Sequence, residues 1–219
     1  MSRIYNFSAG PAVLPEEVLL EVQKELFDYK GHGLSVMEMS HRSAPYQEII
    51  DNAVASMKNI MGLGDDYDVM FLHGGASTQF YMIPLNFCPD GKVANYVDTG
   101  TWSTKALKEA KNIGKEMHIA ASSKDKDFTY IPKSFDISDN AAYLHITTNN
   151  TIRGTEFKVD PEVPADLPLI ADMSSNFLSK PMDFNKYSMI YGGAKKTIGP
   201  AGVAFVIIRN DLSANINPN

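Results

Sequence analysis

The 219-residue sequence has one cysteine, one tryptophan and no long apolar run. A single thiol, Cys88, cannot close an internal disulfide and has no metal-ligand neighbour at motif spacing, so neither a disulfide scaffold nor a metal module is expected. The residue reads as core filler in a chain from a reducing compartment. No stretch approaches the length of a membrane span, and the start, "MSRIYNFSAGPAVLP", lacks the basic segment and apolar core of a leader. These absences predict a cytoplasmic protein with no membrane partner. Excess positive charge is missing too: the net charge is −6 and no stripe of Lys and Arg stands out, which argues against nucleic acid as a partner. There is no internal repeat at a fixed period and no low-complexity linker. What remains, 44% hydrophobic and 21% charged, is the composition of an ordinary folded domain.

An irregular arm, residues 1–15, precedes a predicted helix over 15–29: Pro15 suits the first turn, Glu16 and Glu17 its positive end, and Val18, Leu19, Val22 and Leu26 share a face. A second helix is predicted over 44–61, stopped by Gly62. Short apolar runs then alternate with helical segments: 67–73, 92–98, 115–121, 141–147, 167–173, 187–193 and 202–208. Several are apolar on both faces, as strands of a covered parallel sheet are, and "WSTKALKEAKNIG" supplies a crossover helix. The expectation is an α/β fold, an open and mostly parallel sheet flanked by helices, with residues 16–219 as one domain and 122–140 as a surface excursion.

Ligands of open α/β sheets bind beyond the carboxyl ends of the strands. The first run ends in Gly74-Gly75-Ala76-Ser77-Thr78 ahead of a helix, where small residues, free N–H groups and hydroxyls could cradle a phosphate; the spacing matches no standard phosphate loop, so a tight turn competes. The next run passes through Asp98 and Gly100 to Trp102, either a staple onto the core or a ring that stacks on a flat ligand. "TTNNTIRG" brings Thr151 toward the same rim. Asp172, at the end of "LIAD", is costly unless it caps a turn or faces a cation. Lys195 and Lys196 follow the sixth run, and two adjacent ammonium groups at the end of a buried strand are unfavourable unless an amine is wanted there.

A phosphate cradle, a stacking ring, hydroxyls, a carboxylate and an amine are together what pyridoxal 5'-phosphate requires, since it carries a phosphate, a pyridine nitrogen that seeks a carboxylate, and an aldehyde that condenses with lysine. The motifs "NFSAGPAVLP", "SVMEMSHRS", "FLHGGASTQF", "DTGTWS", "SDNAAYLH", "ADMSSNFLSKP" and "KKTIGPAG" resemble those of the phosphoserine aminotransferase family, class V of the fold-type I pyridoxal phosphate enzymes. The resemblance runs through nearly the whole chain. It implies that Lys196 bonds the cofactor's aldehyde and carries the substrate's α-proton, and that Asp172 keeps the ring nitrogen protonated. It implies phosphate contacts at Ala76 and Ser77, a ring stack on Trp102, a cofactor contact at Thr151, and anion binding by Arg42 with His41 beside it; from the residues alone, a surface ion pair is the simpler role for Arg42. The implied reaction moves an amino group between glutamate and 3-phosphohydroxypyruvate, giving O-phosphoserine and 2-oxoglutarate in serine biosynthesis, in a homodimer.

Two departures stand out. The family usually has glutamine directly before the lysine, near the cofactor's phenolic oxygen, and this chain has Lys195. The family also continues past the position of Asn219, into the rest of the large domain and a small C-terminal domain that adds an arginine for the substrate. Rival readings are another class V enzyme, such as an alanine–glyoxylate aminotransferase or a cysteine desulfurase, and a non-catalytic cofactor-binding domain.

Overall fold

A computed structural model describes residues 3–8 and 10–216, so Ala9 of the "NFSAGPAVLP" motif and residues 217–219 of the expected large domain lie outside the described residues. Two compact units are formed, Met1–Gly62 and Leu63–Asn219; the expected division after residue 15 falls within the first.

The first unit holds helix α1, Glu16–Glu25, and helix α2, Ala44–Met61. α1 is shorter than its apolar periodicity predicts. Pro15 lies just outside it, and at the other end the Tyr29 N–H bonds the Leu34 carbonyl at 3.0 Å while Asp28 accepts from the Gly33 N–H at 2.7 Å, so a tight local loop takes the place of the last helical turn. α2 matches its expected span. Gly62 ends it in the left-handed conformation, φ 65°, with its N–H on the Asn59 carbonyl, a conformation that costs glycine little.

The second unit is built on a seven-stranded sheet: β1 Tyr67–His73, β2 Val93–Asp98, β3 Met117–Ser122, β4 Ala141–Thr147, β7 Leu169–Asp172, β8 Met189–Gly193 and β9 Val203–Arg209, in the order β1-β9-β8-β7-β4-β2-β3. Two short strands, β5 Asn149–Asn150 and β6 Thr155–Glu156, form a separate antiparallel hairpin. The expected open, mostly parallel sheet flanked by helices is what the chain forms. β9 alone runs antiparallel to its neighbours β1 and β8. The apolar runs explain this fold: β7 and β8 are buried at every residue, and β4 and β9 over most of their length.

Helices α3, Gln79–Phe87, and α4, Thr101–Asn112, connect β1 to β2 and β2 to β3. They bury Phe80, Ile83, Ala106 and Leu107 against Tyr96, Tyr143, Ile170 and Tyr191 of the sheet. The predicted alternation with helices ends there. From β3 to β8 the connections are loops, single 3-10 turns and the hairpin, because Pro132, Pro161, Pro164, Pro168 and Pro181 interrupt any helical run. These loops still contribute to the core: Phe177 stacks on Phe205 of β9 at 4.2 Å and meets Phe184 edge-on at 6.0 Å.

Candidate active site

Four parallel neighbours, β8, β7, β4 and β2, end along one edge of the sheet, and each delivers polar groups there. Lys195 and Lys196 belong to a 3-10 turn, Ala194–Lys196, directly after β8. Lys195 is exposed, whereas Lys196 is half-buried and its Nζ donates to Thr151 Oγ1 at 3.3 Å. Burial lowers the Lys196 pKa below that of an ordinary lysine; Asp172 opposes the shift and Lys195 adds to it. The two lysines therefore differ in role: one ammonium stays in water and makes the other easier to deprotonate.

Asp172 ends β7, 5% exposed, in register with Tyr191 of β8 and Thr147 of β4. Its Oδ1 accepts from the Ser174 N–H at 2.9 Å and the Ser174 hydroxyl at 2.6 Å. Burial raises its pKa, against the Ser174 bonds and the Lys196 charge. Both alternatives open in the sequence thus hold at once: the residue caps its own turn and feels a cation. Among the described residues both donated bonds go to Oδ1, and Oδ2 receives none. The turn packs tightly on β8, since Gly193 donates to Ser174 Oγ at 3.2 Å and a methyl on Gly192 would lie 2.9 Å from Ser174 Cα. Ser174 was not anticipated, although Asp-x-Ser is the signature of a side chain that bonds its own backbone two residues on.

The cradle after β1 is separated from β8 by β9, so it is not a direct neighbour of the other strand ends as the order of runs suggested. It reaches them by crossing the entry of β9: the Gly74 N–H bonds the Gly202 carbonyl at 2.8 Å, and Ala76 lies 3.9 Å from where a Gly193 Cβ would stand. Ala76–Thr78 form a 3-10 turn that leads into α3, so the N–H groups of Ala76 and Ser77 head a helix without intrahelical partners. Ser77 is exposed. The Thr78 hydroxyl, expected to face the anion, instead donates to the Gly75 carbonyl and closes the turn.

Trp102 is the second residue of α4, partly packed on the core, with Lys105 Nζ 4.6 Å from its ring centroid. Asp98 serves this helix start, accepting the Thr104 hydroxyl at 2.7 Å and the Ser103 hydroxyl at 3.1 Å. The hairpin that carries Thr151 is held on both sides. Thr148 Oγ1 donates to Asn176 Oδ1 at 2.7 Å on the Asp172 side, and Asn150 and Thr155 bond Thr99 on the Trp102 side, each at 2.9 Å. Behind the edge lies His145, fully buried, with Nε2 2.8 Å from the Tyr191 hydroxyl; burial lowers its pKa to about 3, so it is neutral. Arg42 and His41 belong to the first unit, exposed in the bend before α2. The Arg42 guanidinium has no acidic partner among the described residues.

The sequence profile of the aminotransferase class-V family matches residues 4–219. The chain belongs to this family. As a class-V aminotransferase chain it is 54% identical over 215 residues to the phosphoserine aminotransferase of Desulfosudis oleivorans, covering 98% of this chain and 59% of that protein. Its fold superposes on the phosphoserine aminotransferase from Bacillus circulans subsp. alkalophilus with a TM-score of 0.94 at 51% identity, over 98% of this chain and 60% of that one. A PLP-bound phosphoserine aminotransferase from Trichomonas vaginalis matches with a TM-score of 0.90 at 37% identity, over 99% of this chain and 61% of that one. The class-V chain thus spans about three-fifths of the length of the curated relatives it matches.

Proposed function

We propose that this chain is the cofactor-binding part of a phosphoserine aminotransferase, which moves an amino group between glutamate and 3-phosphohydroxypyruvate with pyridoxal 5'-phosphate. The observation that carries the reading is the meeting of a half-buried lysine of lowered pKa with a buried, partly satisfied carboxylate at one sheet edge, in a chain about half identical to enzymes of that name. The donor set fits the cofactor: N–H groups heading α3 suit a phosphate, Asp172 Oδ2 suits a protonated ring nitrogen, and Trp102 offers an aromatic face.

Bound there, pyridoxal phosphate would supply an aldehyde for the lysine and a ring that accepts electron density as the substrate's α-C–H bond breaks. Lys196 is suited to moving the proton because burial and Lys195 both favour its free amine, and Thr151 steadies the Nζ. Asp172, short of donors at Oδ2, would hold a proton on the ring nitrogen. Ala76 and Ser77 would anchor the phosphate, with Lys195, in the lysine turn itself, near the cofactor. Arg42, whose planar fork matches carboxylates and phosphates, takes a substrate anion, with His41 beside it. We place the enzyme in the cytoplasm as a homodimer, a setting in keeping with a single buried thiol.

The test is an assay with glutamate, 3-phosphohydroxypyruvate and added cofactor, following 2-oxoglutarate. Turnover by the parent, lost in Asp172→Ala while the cofactor stays bound, is the expected pattern. Cofactor binding with no product in the parent would make the chain a binding domain rather than an enzyme.

A further inference from the structure

We propose that Asn150 is a positioning residue: together with Gly100 it forms a joint that locks the Thr151 hairpin to the head of the helix carrying Trp102. The site role of the joint rests on the functional reading above, while the joint itself rests on geometry alone.

Asn150 is fully buried, and its amide bonds Thr99 Oγ1 at 2.9 Å. Its register partner in the hairpin, Thr155, donates to the Thr99 carbonyl at 2.9 Å, so both members of one cross-strand pair grip the same residue. The Asn150 carbonyl accepts from Gly154 N–H at 2.8 Å and Arg153 N–H at 3.2 Å, which closes the turn that follows. That turn begins with Thr151, the partner of Lys196. On the other side of the joint, a methyl added to Gly100 would lie 2.6 Å from Asn150 Oδ1, 2.7 Å from its Cγ and 2.8 Å from its Cβ. The Asn150 side chain therefore occupies the space that any residue larger than glycine would need. Oδ1, buried and without a hydrogen bond among the described residues, lies against that glycine.

Gly100 immediately precedes α4, and its N–H is bonded to Ser103 Oγ at 2.9 Å, so Gly100 cannot move without turning the first residues of the helix, Trp102 included. Displacing Asn150 should move a hydroxyl at Lys196 and an indole in α4 together. Shape fixes this coupling, because the two halves exclude each other from the same volume.

The joint is tested with Gly100→Ala, Asn150→Ala, the double variant, and Thr99→Val, which removes the hydrogen-bond partner with little change of shape. Because Trp102 is the only tryptophan, intrinsic fluorescence of the cofactor-free chain reads its surroundings directly. The expected result is a shifted emission and lowered melting temperature for Gly100→Ala, a shifted emission for Asn150→Ala and, less so, for Thr99→Val. The double variant should melt higher than Gly100→Ala because the added methyl now has room. Capture of pyridoxal phosphate at Lys196, trapped by borohydride and located by mass spectrometry, should be at least about tenfold slower in Asn150→Ala and in the double variant. Strictly additive melting temperatures, or unchanged Trp102 emission in Asn150→Ala, overturn the joint. Normal capture in Asn150→Ala overturns its role in positioning. If even the parent captures no pyridoxal phosphate, the functional reading fails while emission and melting still decide the joint.

Discussion

Gly192 and Gly193 are adjacent at the end of β8, yet their surroundings differ enough to make opposite predictions for the same substitution. A methyl at Gly192 would meet Phe205 ring carbons at 2.6 and 2.8 Å and Ser174 Cα at 2.9 Å. Neither neighbour can give way cheaply: Phe205 is buried and stacked on Phe177, and Ser174 Cα is backbone in the turn that fixes Asp172. A methyl at Gly193 would meet Ala76 no closer than 3.9 Å, an ordinary contact, on a backbone with φ −87°. Overpacking of this kind costs about 1–3 kcal/mol, whereas replacing glycine by alanine at a compatible site stabilises by about 0.4–1 kcal/mol through the unfolded chain. At about 2–4 °C per kcal/mol for a chain of this size, Gly192→Ala should lower the melting temperature by roughly 2–12 °C and Gly193→Ala should leave it level or raise it by roughly 1–4 °C. Circular dichroism melts of the two variants side by side make the comparison. Equal midpoints, or a reversed order, would show that the close approach of β8 to the Asp172 turn is not the constraint described here.

Lys196→Ala should abolish the visible absorbance of cofactor-loaded protein, since the other amine of that turn, Lys195, is exposed to water; an unchanged spectrum removes Lys196 from the role. Lys195→Gln should raise the pKa of Lys196, because a neighbouring positive charge disfavours its protonation, so the pH profile of aldehyde capture should move upward; superimposable profiles would make Lys195 a bystander. Arg42→Ala should raise KM for the anionic substrate more than it lowers kcat, and an unchanged KM would confine Arg42 to the surface. His145 predicts acid lability. Its pKa is about 3 when folded against an ordinary 6.5, so between these values the unfolded chain binds a proton that the folded chain refuses. Stability should fall by about 1.4 kcal/mol per pH unit as pH drops below 6.5, with no effect of this residue above it. His145→Gln should flatten that slope, and identical slopes in variant and parent would contradict the burial argument.

The sheet was legible because apolar runs of strand length carry their own signal: all seven predicted runs contain a strand, each within two residues of its expected ends. α2 was equally clear, bounded by Ser43 and Gly62. Strand direction was not, since an apolar run such as "GVAFVII" reads the same whichever way it points; only the pairing of Val203–Arg209 with β1 and β8 shows it to be reversed. The site was legible as a set of residue types, but the partners of those residues were not. The Asp-x-Ser spacing does signal the bond from Ser174 to Asp172, but nothing local decides that the Thr78 hydroxyl closes its own turn or that Asn150 fills the space above Gly100. The Asn150 contact is one of shape between segments about fifty residues apart, and periodicity carries no information about it.

The reversed strand between β1 and β8 also has a kinetic meaning. β1 forms early in the chain and, among the described residues, pairs only with β9, whose residues come well over a hundred positions later. During synthesis its edge must therefore wait, unpaired, until nearly all of the second unit has been made, which lengthens the loop to be closed and prolongs exposure of an aggregation-prone edge. β9 is also what brings the Gly74–Thr78 turn beside the end of β8, through the bond from Gly74 to Gly202. The Gly74–Thr78 turn and the lysine turn thus meet only once β9 has paired. A ligand that bridges them would bind the finished sheet and none of its precursors, so its arrival would report, and reward, completion of folding.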